Sequence, residues 1–348
     1  MPVCAESRQL LDKPQSSPPN GAAQRFRIFL GELGKRLLIP LCALVVLIFW
    51  ASINAQERLA KTYANWQTES NLLLMPHGKH IPVLFFGTSR GRTFSRFQNH
   101  EVVEKILQTK ILNLSKGGGG GILPALMSLE HFYDWGNKCD TIVYFLDTLV
   151  LFGPNWNEEN FSTNPLFYKA EPFTVSYLLR TIKYGGIAGG YKYFETALKP
   201  RQKGVEPCYQ AYEENEPKRK TPQYIEKQLQ KKYFRLGLPD SYFRHYSERF
   251  KDFVRMARQH NARVIAIVPP TMFGGKDPGR EKTVAFLREM EKCGELTYYD
   301  CSCSMGVDEE MFADSDHMSA KGIATFTRKF LLPILKGERV TKESTTAL

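Results

Sequence analysis

The chain has 348 residues, 43% of them hydrophobic and 24% charged, with a formal net charge of +11. That composition excludes disordered and collagen-like classes, and the length suffices for one large core or two small ones. No dense Lys/Arg run carries interleaved aromatics, so nucleic acid is excluded as a partner; anionic headgroups, an acidic polymer or plain solubility remain as reasons for the charge.

Residues 1–36 read as a disordered tail, on the strength of Ser16-Ser17-Pro18-Pro19-Asn20-Gly21. Leu37 to Ile53 is then uncharged throughout and, with its flanks, about long enough to span a bilayer. Lys35 and Arg36 abut the run, and six basic residues precede it against three acidic ones. This bias places the N-terminus in the cytoplasm and the bulk of the chain outside, as a single-pass protein of the inner (plasma) membrane. A cleaved signal peptide ending at Ala55 is the rival. The long region ahead of the run and the large Ile53 favour a retained anchor over residues 37–55. Gln56 to Leu74 has helical spacing, giving a stalk over 56–79 that Pro76 breaks.

Five segments read as buried strands: Val83 to Phe86, Lys110 to Leu114, Thr141 to Leu146, Arg263 to Val268 and Leu296 to Tyr299. Helical stretches lie between them, among them Phe94 to Gln108, Leu123 to Trp135 and Tyr242 to His260. The alternation predicts an α/β domain over 80–335. It is a flavodoxin-like three-layer sandwich with a mainly parallel five-stranded sheet and right-handed crossovers. Residues 153–240 interrupt the pattern. They carry Trp156, Phe161, Phe167, Tyr168, Phe173 and Tyr177 and a charged patch from Glu213 to Lys220. Either a substrate-shaping lid or a packing decoration fits this insertion. Ser319 is a good N-cap for a last helix carrying Ile323, Phe326, Phe330 and Leu331, and residues 336–348 read as a disordered tail.

Chemistry concentrates at two places. Val83-Leu84-Phe85-Phe86-Gly87-Thr88-Ser89 is a buried strand ending in a tight turn, which sets Ser89 at the C-terminal edge of the sheet, where ligands bind in open parallel sheets. A serine hydroxyl needs a base, and the base needs an orienting carboxylate. Ala313-Asp314-Ser315-Asp316-His317 supplies both: Asp314 precedes His317 by three residues, with Asp316 as the alternative or as a helix cap. Gly117 to Gly121 follow the second strand. Lys116 precedes these glycines, which excludes a phosphate-binding loop, whose lysine follows them; their amides suit an oxyanion hole, although a plain flexible loop has the same composition. Arg90, Arg92 and Arg96 fit either an anionic substrate or a solvated basic face. Cys293, Cys301 and Cys303 are close enough for one disulfide. With His317 they match no common zinc spacing, so no metal or cofactor is expected. His77, His80, His100, His131, His245 and His260 read as surface or stalk residues.

In order and spacing, Gly-Thr-Ser after a first strand, glycines after a second and Asp-x-x-His before the last helix resemble the SGNH (GDSL-like) hydrolase superfamily. More narrowly they resemble its membrane-anchored members in cell-envelope O-acylation, across roughly residues 80 to 335. The resemblance implies Ser89 as nucleophile, Gly118 beside Gly117 and Gly119 as oxyanion donor with the Ser89 amide, and Asp314 and His317 completing the triad. Thr88 stands where that family usually has aspartate. Asp147 in Phe145-Leu146-Asp147-Thr148 stands where many members have an oxyanion asparagine; a carboxylate would repel the oxyanion, so Asp147 would hold the glycine loop or substrate instead. The expected activity is acyl transfer or ester hydrolysis on an envelope glycan or other acylated substrate, with a membrane-embedded acyl donor as partner. A non-catalytic glycan-binding or scaffold protein of the same fold is the alternative.

Overall fold

The computed structural model describes residues 21–62, 75–115, 120–158, 175–198, 234–272, 275–306 and 308–338. Contacts divide the chain into two compact units at Leu47/Ile48. One helix, α1 (Gly21–Thr62), contains the apolar run and Pro40. It starts well before Leu37, so residues 21–36 are helical and not a disordered tail; Ala22, Ala23, Leu30, Glu32 and Leu33 are strong helix formers. The stalk proposed for 56–79 continues this helix to Thr62, and 63–74 lie outside the described residues. Among the described residues, no helix is long and apolar enough to cross a membrane.

The second unit is built on five strands: β1 (His80–Gly87), β2 (Ile111–Asn113), β3 (Lys138–Phe145), β4 (Arg263–Val268) and β5 (Thr297–Asp300). All pairings are parallel, in the order β2-β1-β3-β4-β5. Every expected strand is present, with ends shifted by a few residues at most.

Alternate residues of the central strands bury opposite faces, which is why these strands read as continuous apolar runs. On one face Leu84, Phe86, Ile142, Tyr144, Val264 and Ala266 pack under α4 (Ile122–Asp134), α6 (Asp240–Gln259) and α7 (Arg280–Lys292). On the other, Val83, Phe85, Val143, Phe145, Ile265 and Ile267 pack under α3 (Asn99–Leu107) and the C-terminal helix α8 (Ala320–Phe326) with its continuation. The layers are thus helix, sheet, helix. The chain leaves β1 towards α3 on one face and reaches β3 from α4 on the other, so β1 and β3 flank the point where the winding reverses. In such sheets a crevice opens there, beyond the carboxyl ends of the strands.

The helix expected from Phe94 begins only at Asn99. Phe94 is fully buried, with its ring 4.5 Å from that of Phe145 and 5.9 Å from that of Phe326, and Asn99 Nδ2 donates to the Thr93 carbonyl at 2.9 Å. Those contacts, worth about 0.5–1.5 kcal/mol for each aromatic pair, hold the segment in a turn and pin what precedes it. Of the insertion, residues 153–158, 175–198 and 234–240 are described, with a short 3-10 turn (Pro154–Trp156) and α5 (Val175–Leu198) among them; Phe161, Phe167, Tyr168, Phe173 and the patch 213–220 lie outside the described residues.

Candidate active site

Ser89 opens a one-turn helix, α2 (Ser89–Arg92), directly after β1. Gly87 makes the exit possible. Its φ is +147°, and a Cβ there would stand 2.6 Å from the Phe145 carbonyl oxygen, so only glycine lets β1 and β3 approach this closely. From the far side, the buried Asn113 at the end of β2 donates through Nδ2 to the Gly91 carbonyl at 2.9 Å and to Ser95 Oγ at 3.0 Å. The turn bearing Ser89 is therefore held by both neighbouring strands.

The base arrives on a tight loop ahead of α8. The amide of Ala313 donates to the His317 carbonyl at 2.8 Å, and Phe312 and Met318 form an antiparallel bridge. Inside this loop Asp314 Oδ1 accepts from the amides of Asp316 (2.7 Å) and His317 (2.8 Å). The carboxylate is thus pre-aimed at the imidazole, 2.8 Å from Oδ2 to His317 Nδ1. His317 Nε2 stands 2.7 Å from Ser89 Oγ. One tautomer satisfies both ends: Nδ1–H donates to Asp314, and Nε2 accepts from the serine hydroxyl. Burial pushes the Asp314 carboxyl up in pKa. The His317 ring and the two amides outweigh it and hold the group well below the usual carboxylate range. Asp314 is thereby ionised wherever an imidazolium forms beside it. Ser319 caps α8, accepting from the Gly322 amide at 3.1 Å. Asp316 is buried and accepts from Ser315 Oγ at 2.6 Å, so it is neither the His317 partner nor the cap.

The other expected site residues fall differently. Gly118, with Lys116, Gly117 and Gly119, lies outside the described residues. Arg90 is 6% exposed and pairs through Nη1 with Asp147 Oδ1 at 2.7 Å, while Thr88 Oγ1 donates to Asp147 Oδ2. Asp147 itself is 1% exposed. Neither Arg90 nor Asp147 faces solvent as a substrate contact would, because parallel pairing of Gly87 with Phe145 brings the next residues of both strands together. Burial pushes the Asp147 carboxyl up, against the opposing pull of Arg90 and Thr88. A further buried carboxylate, Asp277, is pushed up by burial too, with Arg90 among the charges around it. Arg92 is half-buried.

Two further expectations change. Among the described residues no disulfide forms, so none joins Cys293, Cys301 and Cys303; Cys4 and Cys208 lie outside the described residues. Cys301 is buried, which raises its thiol pKa to about 12 and makes it a poor nucleophile. His131 is 3% exposed and lies 3.0 Å from Arg180 Nη1, joining α4 to α5; it is not a surface residue. His77 and His260 stack on Trp135 and Tyr133. Among the described residues no His, Cys, Asp and Glu cluster could hold a metal ion.

Sequence reasoning assigned no role to Asn157, which is fully buried. Its Oδ1 accepts from the Ile122 amide at 2.8 Å and the Leu123 amide at 3.3 Å, and its Nδ2 donates to the carbonyls of Val150 and Gly153. It caps α4 where the glycine segment ends. Gly121 is obligatory there, since a Cβ would stand 1.9 Å from the Trp156 carbonyl oxygen. The Gly-Pro-Asn-Trp-Asn sequence has the composition of a turn, but nothing local points 35 residues back.

No family model matches the chain, and no curated protein matches it. Among solved structures, it is similar to a Bacteroides fragilis protein provisionally described as an acylhydrolase. The identity is 12% and the TM-score 0.38, over 80% of this chain and 97% of that one. At that TM-score the likeness carries nothing about the reaction; what stands is an α/β fold with a five-stranded parallel sheet.

Proposed function

We propose that the protein is a membrane-anchored, SGNH-like serine acyltransferase or esterase acting on O-acyl groups of cell-envelope glycans. One observation carries the chemistry: Ser89, His317 and Asp314, drawn from opposite ends of the sequence, meet in hydrogen-bonding order at 2.7 and 2.8 Å. Ser89 Oγ attacks the acyl carbonyl while His317 Nε2 takes its proton. Asp314 stabilises the imidazolium. The Ser89 amide and the Gly118 amide receive the oxyanion, where each donor contributes a few kcal/mol. His317 returns the proton to the leaving oxygen, and a sugar hydroxyl or water then releases the acyl group from Ser89.

No helix among the described residues is long and apolar enough to cross a membrane, so the anchor is proposed from the sequence and from the exposure of its side chains. Leu37 to Ile53 has no charge, and from Leu37 to Trp50 the exposed large apolar side chains are 47–75% accessible all around α1. A helix that is apolar all round needs a non-aqueous environment. With the basic flank inside, the domain would sit outside the inner membrane, within reach of envelope glycans and of a membrane-embedded acyl donor.

Full-length protein in detergent, incubated with an O-acetylated envelope polysaccharide, tests this reading. The expected result is acetate release or transfer to an added acceptor glycan, lost in Ser89→Ala. Retained glycan binding with no turnover by the wild type would favour the binding-module alternative. Carbonate-resistant membrane association, lost on deleting residues 37–53, tests the anchor.

A further inference from the structure

We propose that Asp147 is a positioning residue for the nucleophile, gripping the residues on both sides of Ser89. The inference rests on Ser89 being the reacting group. One carboxylate oxygen accepts from Thr88 Oγ1, and the other pairs with Arg90 Nη1 at 2.7 Å. All three side chains are at least nine-tenths buried. Ser89 is thus the single residue spanned by a two-armed clamp from the end of β3.

The backbone adds to the grip. The Arg90 amide donates to Thr88 Oγ1 at 3.4 Å, and Thr93 Oγ1 donates to the Arg90 carbonyl at 2.6 Å. The two arms differ: Oδ2 accepts a hydrogen bond from Thr88, whereas Oδ1, with no hydrogen-bond partner among the described residues, is held by the charge of Arg90. The clamp has a specific consequence for the triad. Ser89 Oγ must stay within hydrogen-bonding reach of His317 Nε2, a group 228 residues away whose own loop is separately braced. A displacement of about 1 Å between such groups costs on the order of 100-fold in rate. Fixing Thr88 and Arg90 removes the freedom of the turn to drift from the imidazole.

The test compares Thr88→Val, Thr88→Ser and Asp147→Asn in the full chain in detergent. Thr88→Val deletes one arm and keeps the ion pair, so it serves if Asp147→Asn does not fold. Two readouts are taken: kcat and KM for 4-nitrophenyl acetate, and hydrogen–deuterium exchange of the peptide spanning β1 and α2. Thr88→Val and Asp147→Asn are expected to lower kcat by about 10- to 100-fold with KM unchanged, and to speed exchange in the peptide. Thr88→Ser keeps the hydroxyl and is expected to match the wild type in both. A raised KM with kcat retained would make Asp147 a substrate contact and overturn the proposal. So would wild-type rates and exchange in Thr88→Val. If the wild type does not turn over the ester, the acyl chemistry fails, and exchange alone decides: faster in Thr88→Val than in Thr88→Ser supports the clamp, equal overturns it.

Discussion

Replacing Asp314 with asparagine separates the charge of the triad from its shape. Asp314 Oδ1 accepts from the amides of Asp316 and His317 at 2.7 and 2.8 Å. An asparagine oxygen keeps both bonds, which turns its NH2 towards His317 Nδ1, where Oδ2 now stands at 2.8 Å. Oδ1 also stands 2.9 Å from Nδ1, so an Nδ1–H would keep that one acceptor, already shared with two amides, while facing a second donor. The balance shifts the imidazole proton towards Nε2. That nitrogen then meets Ser89 Oγ as a donor and no longer accepts its proton. Losing the right tautomer costs a serine triad about 10⁴-fold in kcat, or about 5 kcal/mol at about 1.4 kcal/mol per decade. KM is expected to hold, because Asp314 orients the base and does not touch the acyl group. Hydrolysis of an activated ester by full-length protein measures this, with far-ultraviolet circular dichroism to match folded fractions. A variant within about tenfold of the wild type would refute the reasoning and remove Asp314 from the mechanism.

Further expectations follow from the same geometry. Asp314 has a folded pKa below its unfolded value of about 3.9, since the His317 and amide contacts outweigh burial. Its contribution to stability is full above that unfolded value and is lost as pH falls through the folded one. The melting-temperature gap between wild type and Asp314→Asn should therefore be constant from about pH 7 to 5 and shrink below about pH 4. Gly87→Ala should destabilise by about 2 kcal/mol or more in chemical denaturation, because its Cβ meets the Phe145 carbonyl at a φ of +147°. Asn157→Ala strands the Ile122 and Leu123 amides and two carbonyls in a buried site, so a loss of about 2–4 kcal/mol is expected by the same assay.

The meeting of Ser89, His317 and Asp314, proposed as a triad, was legible because each part carries a local signal. A four-residue apolar strand ending in Gly-Thr-Ser announces its own turn, and Asp-x-x-His before a capped helix announces a braced loop. The sheet was legible for a related reason: both faces are covered, so Val264 to Val268 and Ile142 to Phe145 read as unbroken apolar runs. What stayed hidden arises only from strand adjacency. Thr88 and Asp147 meet because β1 pairs with β3 and not only with β2, which puts residues 59 apart in the chain side by side. Arg90 read as a surface or substrate-facing cation for the same reason: its counter-ion is remote in sequence. His131 reads as a surface residue because the helix that buries it, α5, lies within an insertion without strong periodic signals. The disulfide expectation rested on sequence proximity alone, and proximity does not orient Cβ atoms towards each other.

The most direct measurement is the intact mass of full-length protein after treatment with a serine-directed fluorophosphonate, with Ser89→Ala and His317→Ala alongside. An activated Ser89 predicts one adduct on the wild type, absent from Ser89→Ala and strongly slowed in His317→Ala. A folded wild type that takes no adduct, or an adduct that persists in Ser89→Ala, would contradict the account.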